Sequence, residues 1–177
     1  QQRYQSFLHL RTSLSIASFS LCLVRRGFVV HLPRLPVLDG SSCPGSRFTA
    51  HTPRLPTSIF VHCNIKTLNL LPSCMAAQRT AVAGCDESVF HRGDIVTECA
   101  HSNVSIIQDG VFKTHPTDHY ILPGIARAHL IKMCKKLGYA VDETPFTVAE
   151  MMAADEVIVS SSGSFCLAAE SIDGQPV

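Results

Sequence analysis

Apolar residues recur at helical spacing in two stretches of the last two-thirds of the chain. An Ala-rich stretch over residues 69–83 predicts a helix, with Pro72 in its first turn and Gly84 just after its end. Residues 125–137 show the same periodicity and stop before Gly138. Each stretch therefore predicts an α-helix that ends at a glycine.

Short apolar runs between turn residues predict strands around these helices. Residues 104–108 and 111–114 flank Asp109-Gly110, a two-residue hairpin signal. The motif TVAE at 147–150 is a capping box, which predicts a short helix. Further strands are predicted at 86–91, 95–97, 157–159 and 165–172. Because strands and helices mix without strict alternation, the pattern predicts an α+β fold and not a doubly wound parallel sheet.

The first third of the chain has a different composition. Residues 1–62 carry seven Arg, no Lys and one acid, whereas residues 63–177 carry eight basic and thirteen acidic residues. We expect residues 1–60 to be an Arg/Pro/Ser-rich segment that is poorly ordered, packs little against the rest and reflects an out-of-frame translation. A targeting segment or a divergent domain are the alternatives. The apolar run 14–24 is shorter than the ~20 residues that span a bilayer, and we expect no membrane partner.

Charge and cysteine usage exclude several classes of function. A net charge of +1 gives no reason to expect nucleic acid as a partner. The eight cysteines form no CxxC pair and no zinc-finger spacing with histidine. The sequence therefore predicts reduced, structural cysteines, no metal site and a cytoplasmic protein.

A lysine and a later glutamate are the strongest chemical signal. Lys66 lies in NIKTLNLLP between apolar neighbours, so we expect it to be buried with a lowered pKa and an available free amine. Glu98 follows 32 residues later in TECAHSN, where Ser102 and Asn103 complete the pattern E-x-x-x-S-N. On these motifs the chain resembles the class IV (fold-type IV) aminotransferases over about residues 63–177, with D-amino-acid (D-alanine) transaminases most similar.

The resemblance implies pyridoxal 5′-phosphate as the cofactor. Lys66 would be the catalytic residue that forms a Schiff base with it and shuttles a proton. Glu98 would keep the pyridine nitrogen protonated through a charge-assisted hydrogen bond. Ser102 would belong to the same cofactor-binding wall. The resemblance thus places the cofactor-binding domain in residues 61–177.

The string ILPGIARAHL resembles the phosphate-binding turn of the family. Gly124 would allow a close approach, and the N–H groups of Ile125 and Ala126 would open a helix towards the phosphate. Many members have Thr where this chain has Ala126, so one hydroxyl contact would be missing. Leu122 would pack on one face of the cofactor ring. The run 160–162 resembles a T-S-T motif, which adds two phosphate-binding residues, Ser161 and Ser162.

The family resemblance also implies what this chain lacks. The substrate-carboxylate clamp and the final helix of the family are not recognisable, so we expect a C-terminally truncated fragment that transaminates poorly alone. The parent enzyme would be a homodimer that moves amino groups from D-amino acids to 2-oxo acids. A branched-chain aminotransferase or aminodeoxychorismate lyase type is one alternative, and an inactive, non-enzymatic remnant is another.

Overall fold

The computed structural model describes residues 48–51 and 62–177. The helices in this part of the chain are α1 (Leu71–Val82), α2 (Ile125–Lys136) and α3 (Val148–Met152). The strands are β1 (Phe48–His51), β2 (Glu87–Arg92), β3 (Ile95–Cys99), β4 (Asn103–Gln108), β5 (Val111–Thr114), β6 (Ala140–Asp142), β7 (Phe146–Thr147), β8 (Glu156–Ser160), β9 (Leu167–Ile172) and β10 (Gln175–Pro176). The predicted α+β class is confirmed, and the predicted helices and strands agree closely with these bounds.

Local sequence signals explain several of these elements. Asp109 and Gly110 have φ angles of 50° and 77°, the left-handed pair that a tight β4–β5 hairpin requires. The Thr147 hydroxyl accepts a hydrogen bond from the Glu150 N–H at 3.1 Å, while the Glu150 carboxylate accepts one from the Thr147 N–H at 2.7 Å. The capping box predicted from TVAE is therefore present at the start of α3.

The described strands form one mixed sheet. Its order is β6-β5-β4-β8-β9-β1-β2-β3-β7, with β10 paired to β9. Strand β1 runs parallel to β2 and β9, and β5 runs parallel to β6, while the remaining pairs are antiparallel. In the antiparallel β4–β8 pair, Asn103 lies opposite Ser160. The first residue of β4 and the last residue of β8 therefore lie side by side, at the same end of this strand pair.

Apolar burial fixes the sheet against its helices. Buried side chains of β2, β3, β4 and β8 form one cluster with Phe146 and Met151. Helix α2 buries Leu130, Ile131 and Cys134 along one face. Each large side chain that is removed from water in this way stabilises the fold by ~1.5–3 kcal/mol. No helix among the described residues is long and apolar enough to cross a membrane.

Strand β1 corrects one expectation about the first sixty residues. Its four residues pair in parallel with both β2 and β9, so they lie within the sheet. Asp86 anchors this strand, because its carboxylate accepts hydrogen bonds from both the N–H and the hydroxyl of Thr49 at 2.9 Å. For residues 48–51 the expectation of a poorly packed segment is wrong. Residues 1–47 and 52–61 lie outside the described residues, and the boundary near residue 60 stays a prediction.

Replacement of Asp86 should loosen β1. We expect Asp86→Ala to lower the free energy of unfolding by about 1 kcal/mol, because two hydrogen bonds to a charged acceptor are lost at an accessible position. Urea denaturation of the full chain measures this, with Asp94→Ala as a control at an exposed aspartate. Equal losses in the two variants would contradict an anchoring role for Asp86.

Candidate active site

One cavity of about 860 Å³ collects every site residue that the sequence predicts. Segments 62–70, 97–103, 122–126 and 160–162 form most of its wall. The predicted residues on that wall are Lys66, Glu98, Ser102, Leu122, Gly124, Ile125, Ala126, Ser161 and Ser162. The fold therefore brings together residues that are up to 96 positions apart in the sequence.

The Leu122 main chain is held from both sides by the E-x-x-x-S-N segment. Its N–H donates to Glu98 Oε2 at 2.8 Å. Its carbonyl oxygen accepts from Asn103 Nδ2 at 2.9 Å and from the Gly124 N–H at 2.8 Å. Glu98 lies near the end of β3 and Asn103 begins β4, so the two side chains of the motif reach the two polar groups of one residue.

Gly124 leaves room for Asn103. A Cβ at position 124 would collide with Asn103 Oδ1, and the Asn103 side-chain carbon would also be in close contact. The φ and ψ angles of Gly124 are −65° and 138°, which any residue can adopt. The requirement for glycine here is therefore the space beside Asn103, in addition to the close approach to a ligand that the sequence predicts.

Helix α2 begins at the cavity without a side-chain cap. Its first residues, Ile125 and Ala126, line the cavity, and the first helical hydrogen bond is from Ala128 N–H to the Gly124 carbonyl. The N–H groups at the start of a helix lack partners within the helix and carry partial positive charge. This end of the cavity is therefore suited to an anion such as phosphate.

The carboxylate of Glu98 lines the cavity, and its surroundings alter its pKa. Burial raises its pKa from 4.5 to about 7, against the opposing effects of the Leu122 N–H, the Cys63 thiol and the positive charge of Arg92. The Arg92 guanidinium stacks on the Tyr120 ring at 4.4 Å. A cationic N–H group placed beside Glu98 would favour the charged carboxylate again. The site is thus suited to a protonated ring nitrogen.

A second carboxylate, Glu87, supports the wall and was not predicted from the sequence. The Ser102 hydroxyl donates to Glu87 Oε2 at 2.6 Å, and the Ser88 N–H donates to Oε1 at 2.9 Å. His101 Nδ1 lies 3.5 Å from Oε1. Glu87 is buried at the start of β2, and the mixed polar and apolar sequence of that strand, ESVFHR, does not mark it as a supporting residue.

Lys66 lines the cavity but is exposed. Its apolar neighbours Ile65 and Leu68 are 57% and 97% exposed. The expectation that they bury Lys66 is therefore wrong for the described part of the chain. Residues 62–70 form an exposed edge of the cavity wall.

The serine run contributes hydroxyl groups to the remaining wall. The Ser161 hydroxyl accepts from the Ser164 N–H at 3.0 Å, which leaves its own hydrogen available, and Ser162 is exposed. Ser160 is buried, and its hydroxyl has no hydrogen-bond partner among the described residues. No group of three or more His, Cys, Asp or Glu in the described residues could hold a metal ion, and the six described cysteines are free.

A family model and the similar known proteins point to the same family. The family model for class IV aminotransferases matches residues 34–172. The D-alanine aminotransferase of Listeria monocytogenes serotype 4b is 43% identical over 118 residues, which cover 67% of this chain and 41% of that protein. The D-alanine aminotransferase of Staphylococcus epidermidis is 41% identical over 118 residues, 67% of this chain and 42% of that protein. The chain thus spans less than half the length of these relatives.

Solved structures agree with the fold. A branched-chain aminotransferase from Thermoproteus uzoniensis has a TM-score of 0.69 at 29% identity, over 74% of this chain and 46% of that one. A second branched-chain aminotransferase, the T.th. enzyme crystallised with pyridoxamine 5′-phosphate, has a TM-score of 0.66 at 26% identity, over 74% and 45%.

The partly buried Glu98 should make stability depend on pH. Since its folded pKa of about 7 lies above the usual 4.5, the folded state binds more protons between these values, and stability falls as pH rises through that window. Glu98→Gln still accepts the Leu122 N–H but does not titrate. We expect wild type to lose ~2 kcal/mol more than the variant between about pH 4.5 and pH 8 in urea denaturation. If wild type and Glu98→Gln lost the same free energy of unfolding over this pH range, the burial of Glu98 would not disfavour its charge.

Proposed function

Because the chain belongs to the class IV aminotransferase family, we propose that it forms the cofactor-binding part of an enzyme that transfers amino groups between D-amino acids and 2-oxo acids. The observation that carries this proposal is the shared cavity of Lys66, Glu98 and the uncapped start of α2. An amine, a carboxylate and an anion site on one wall match the three functional ends of pyridoxal 5′-phosphate, the cofactor of this family.

The residues of the cavity fit this cofactor by their chemistry. Glu98 is a partly buried carboxylate whose pKa is raised by desolvation, and a protonated pyridine nitrogen would supply a counter-charge. The start of α2 has N–H groups available for a phosphate, and the Ser161 hydroxyl can donate there as well. Leu122 offers an apolar side chain between these two polar ends.

Each of these residues would have a separate task. When bound, the cofactor supplies an electron sink for the bonds at the substrate Cα. Lys66 would hold the cofactor covalently through Nζ and move the proton to and from Cα. Glu98 would keep a proton at the pyridine nitrogen, and the Leu122 N–H holds its carboxylate in place. Ile125 and Ala126 would bind the phosphate through their N–H groups.

The substrate class rests on the relatives. The similar proteins from Listeria and Staphylococcus are D-alanine aminotransferases, and each is matched over 118 residues, two-thirds of this chain. We therefore propose a D-amino acid and a 2-oxo acid as substrates and a homodimer as the assembly of the complete enzyme. The structural likeness to branched-chain aminotransferases is shared by the family and does not favour that substrate.

Covalent labelling tests the role of Lys66. After incubation with pyridoxal 5′-phosphate and reduction with borohydride, we expect pyridoxyl mass on the peptide that contains Lys66. The label should be lost in Lys66→Ala and retained in Lys132→Ala, an exposed lysine of α2. A label that persists in Lys66→Ala at full stoichiometry would overturn the assignment.

Position 126 tests the phosphate end of the cavity. Ala126→Thr adds a hydroxyl at the start of α2, and Ala126→Val adds a similar volume without one. We expect the Ala126→Thr variant to bind pyridoxal 5′-phosphate roughly tenfold more tightly than the Ala126→Val variant, because one hydrogen bond to a charged group has about this effect. Pyridoxal, which lacks the phosphate, should bind both variants equally, and equilibrium titration measures all four affinities. If the two variants had equal affinity for pyridoxal 5′-phosphate as well as for pyridoxal, the phosphate would not bind at the start of α2.

A further inference from the structure

Asn103 is a buried residue of the cavity wall, and its side chain has no part in the chemistry proposed for the cofactor. Only 6% of its surface is exposed. Its Nδ2 donates to the Leu122 carbonyl at 2.9 Å, and its Oδ1 fills the space left by the absent Gly124 side chain. Both ends of one carboxamide therefore contact the same three-residue turn, residues 122–124.

That turn connects the two polar ends of the cavity. At its first residue the Leu122 N–H holds Glu98 Oε2 at 2.8 Å. At its last residue Gly124 is the N-cap of α2, whose first N–H groups form the anion site. The Leu122 carbonyl also accepts the Gly124 N–H at 2.8 Å, which makes the turn compact. A shift of the turn would therefore move the carboxylate and the helix start together.

Resting on the function proposed above, we propose that Asn103 is a positioning residue that fixes the 122–124 turn and thereby sets Glu98 and the start of α2 at one separation, matched to a ligand with a basic ring nitrogen and a phosphate. Asn103 touches neither end of that ligand. It acts through the Leu122 peptide and the Gly124 backbone.

A neighbouring carboxamide offers a matched control. Asn103 and Gln108 are the first and last residues of the same strand, β4. Gln108 lies in the β4–β5 hairpin pairing and is not part of the cavity wall. Asn103→Ala and Gln108→Ala thus remove the same functional group from the two ends of one element.

Three probes separate the two ends of the cavity. Inorganic phosphate reports on the start of α2, pyridoxal reports on Glu98, and pyridoxal 5′-phosphate reports on both. We expect Asn103→Ala to weaken all three by about tenfold, Glu98→Ala to weaken only the two pyridine compounds, and Gln108→Ala to weaken none. In the Glu98→Ala background, Asn103→Ala should no longer affect pyridoxal, since the route through Leu122 to the carboxylate is already lost.

Two patterns of binding would contradict the positioning role. A loss confined to one probe, or effects of Asn103→Ala and Glu98→Ala on pyridoxal that simply add, would overturn the proposal. Gly124→Ala provides an independent check, because its new Cβ meets Asn103 Oδ1. The variant should bind weakly on its own but should not weaken binding further when Asn103 is already Ala. A further loss in the double variant would also count against the proposal.

Failure of the proposed function gives a different result. In that case wild type would bind pyridoxal 5′-phosphate no better than phosphate or pyridoxal alone. Asn103 would then be tested without ligand, by the pH dependence of unfolding that Glu98 causes. Asn103→Leu keeps a similar volume beside Gly124, removes the donor to the Leu122 carbonyl without adding a titrating group, and serves if the Ala variant does not fold. The positioning role is supported if the variant at position 103 shifts the pH range over which stability falls, and if this shift is absent when Glu98 is also replaced by Gln. An unchanged pH range refutes it.

Discussion

The hydrogen bonds on the two sides of the Leu122 peptide are the constraint on which the candidate site depends. Glu98 accepts from the Leu122 N–H, and Asn103 donates to the Leu122 carbonyl. These bonds lie in a wall where unpaired polar groups are costly, so the turn has one favourable arrangement. The sheet supports it, since Glu98 and Asn103 belong to consecutive strands whose apolar side chains join one core.

The electrostatics of the cavity follow from this constraint. Glu98 is held where burial disfavours its charge, and Arg92 offsets that cost only in part. At the other end, the start of α2 carries positive potential without a capping side chain. A ligand that is cationic at one end and anionic at the other would complement both ends of the cavity. A ligand of this kind that binds only the folded chain would stabilise it.

The sequence predicts local features of this fold better than non-local ones. The Asp109-Gly110 hairpin and the Thr147 capping box depend on a few adjacent residues, and both are found. The sequence also predicts which residues share the cavity, because the family motifs carry that information. It does not predict the place of β1 in the sheet or the support from Glu87, since each depends on pairing with residues far along the chain. At Lys66 a local signal misleads, because its apolar neighbours predict burial but are exposed.

Hydrogen exchange at the Leu122 amide tests the central claim most directly. This amide lies outside the described helices and strands, so its protection depends on its bond to Glu98. We predict slow exchange of the Leu122 amide in the protein without ligand and fast exchange in Glu98→Ala, with the buried Ile106 amide of β4 protected in both. Fast exchange of the Leu122 amide in wild type, alongside a protected Ile106, would show that the Leu122 N–H is not bonded to Glu98 and would contradict this claim.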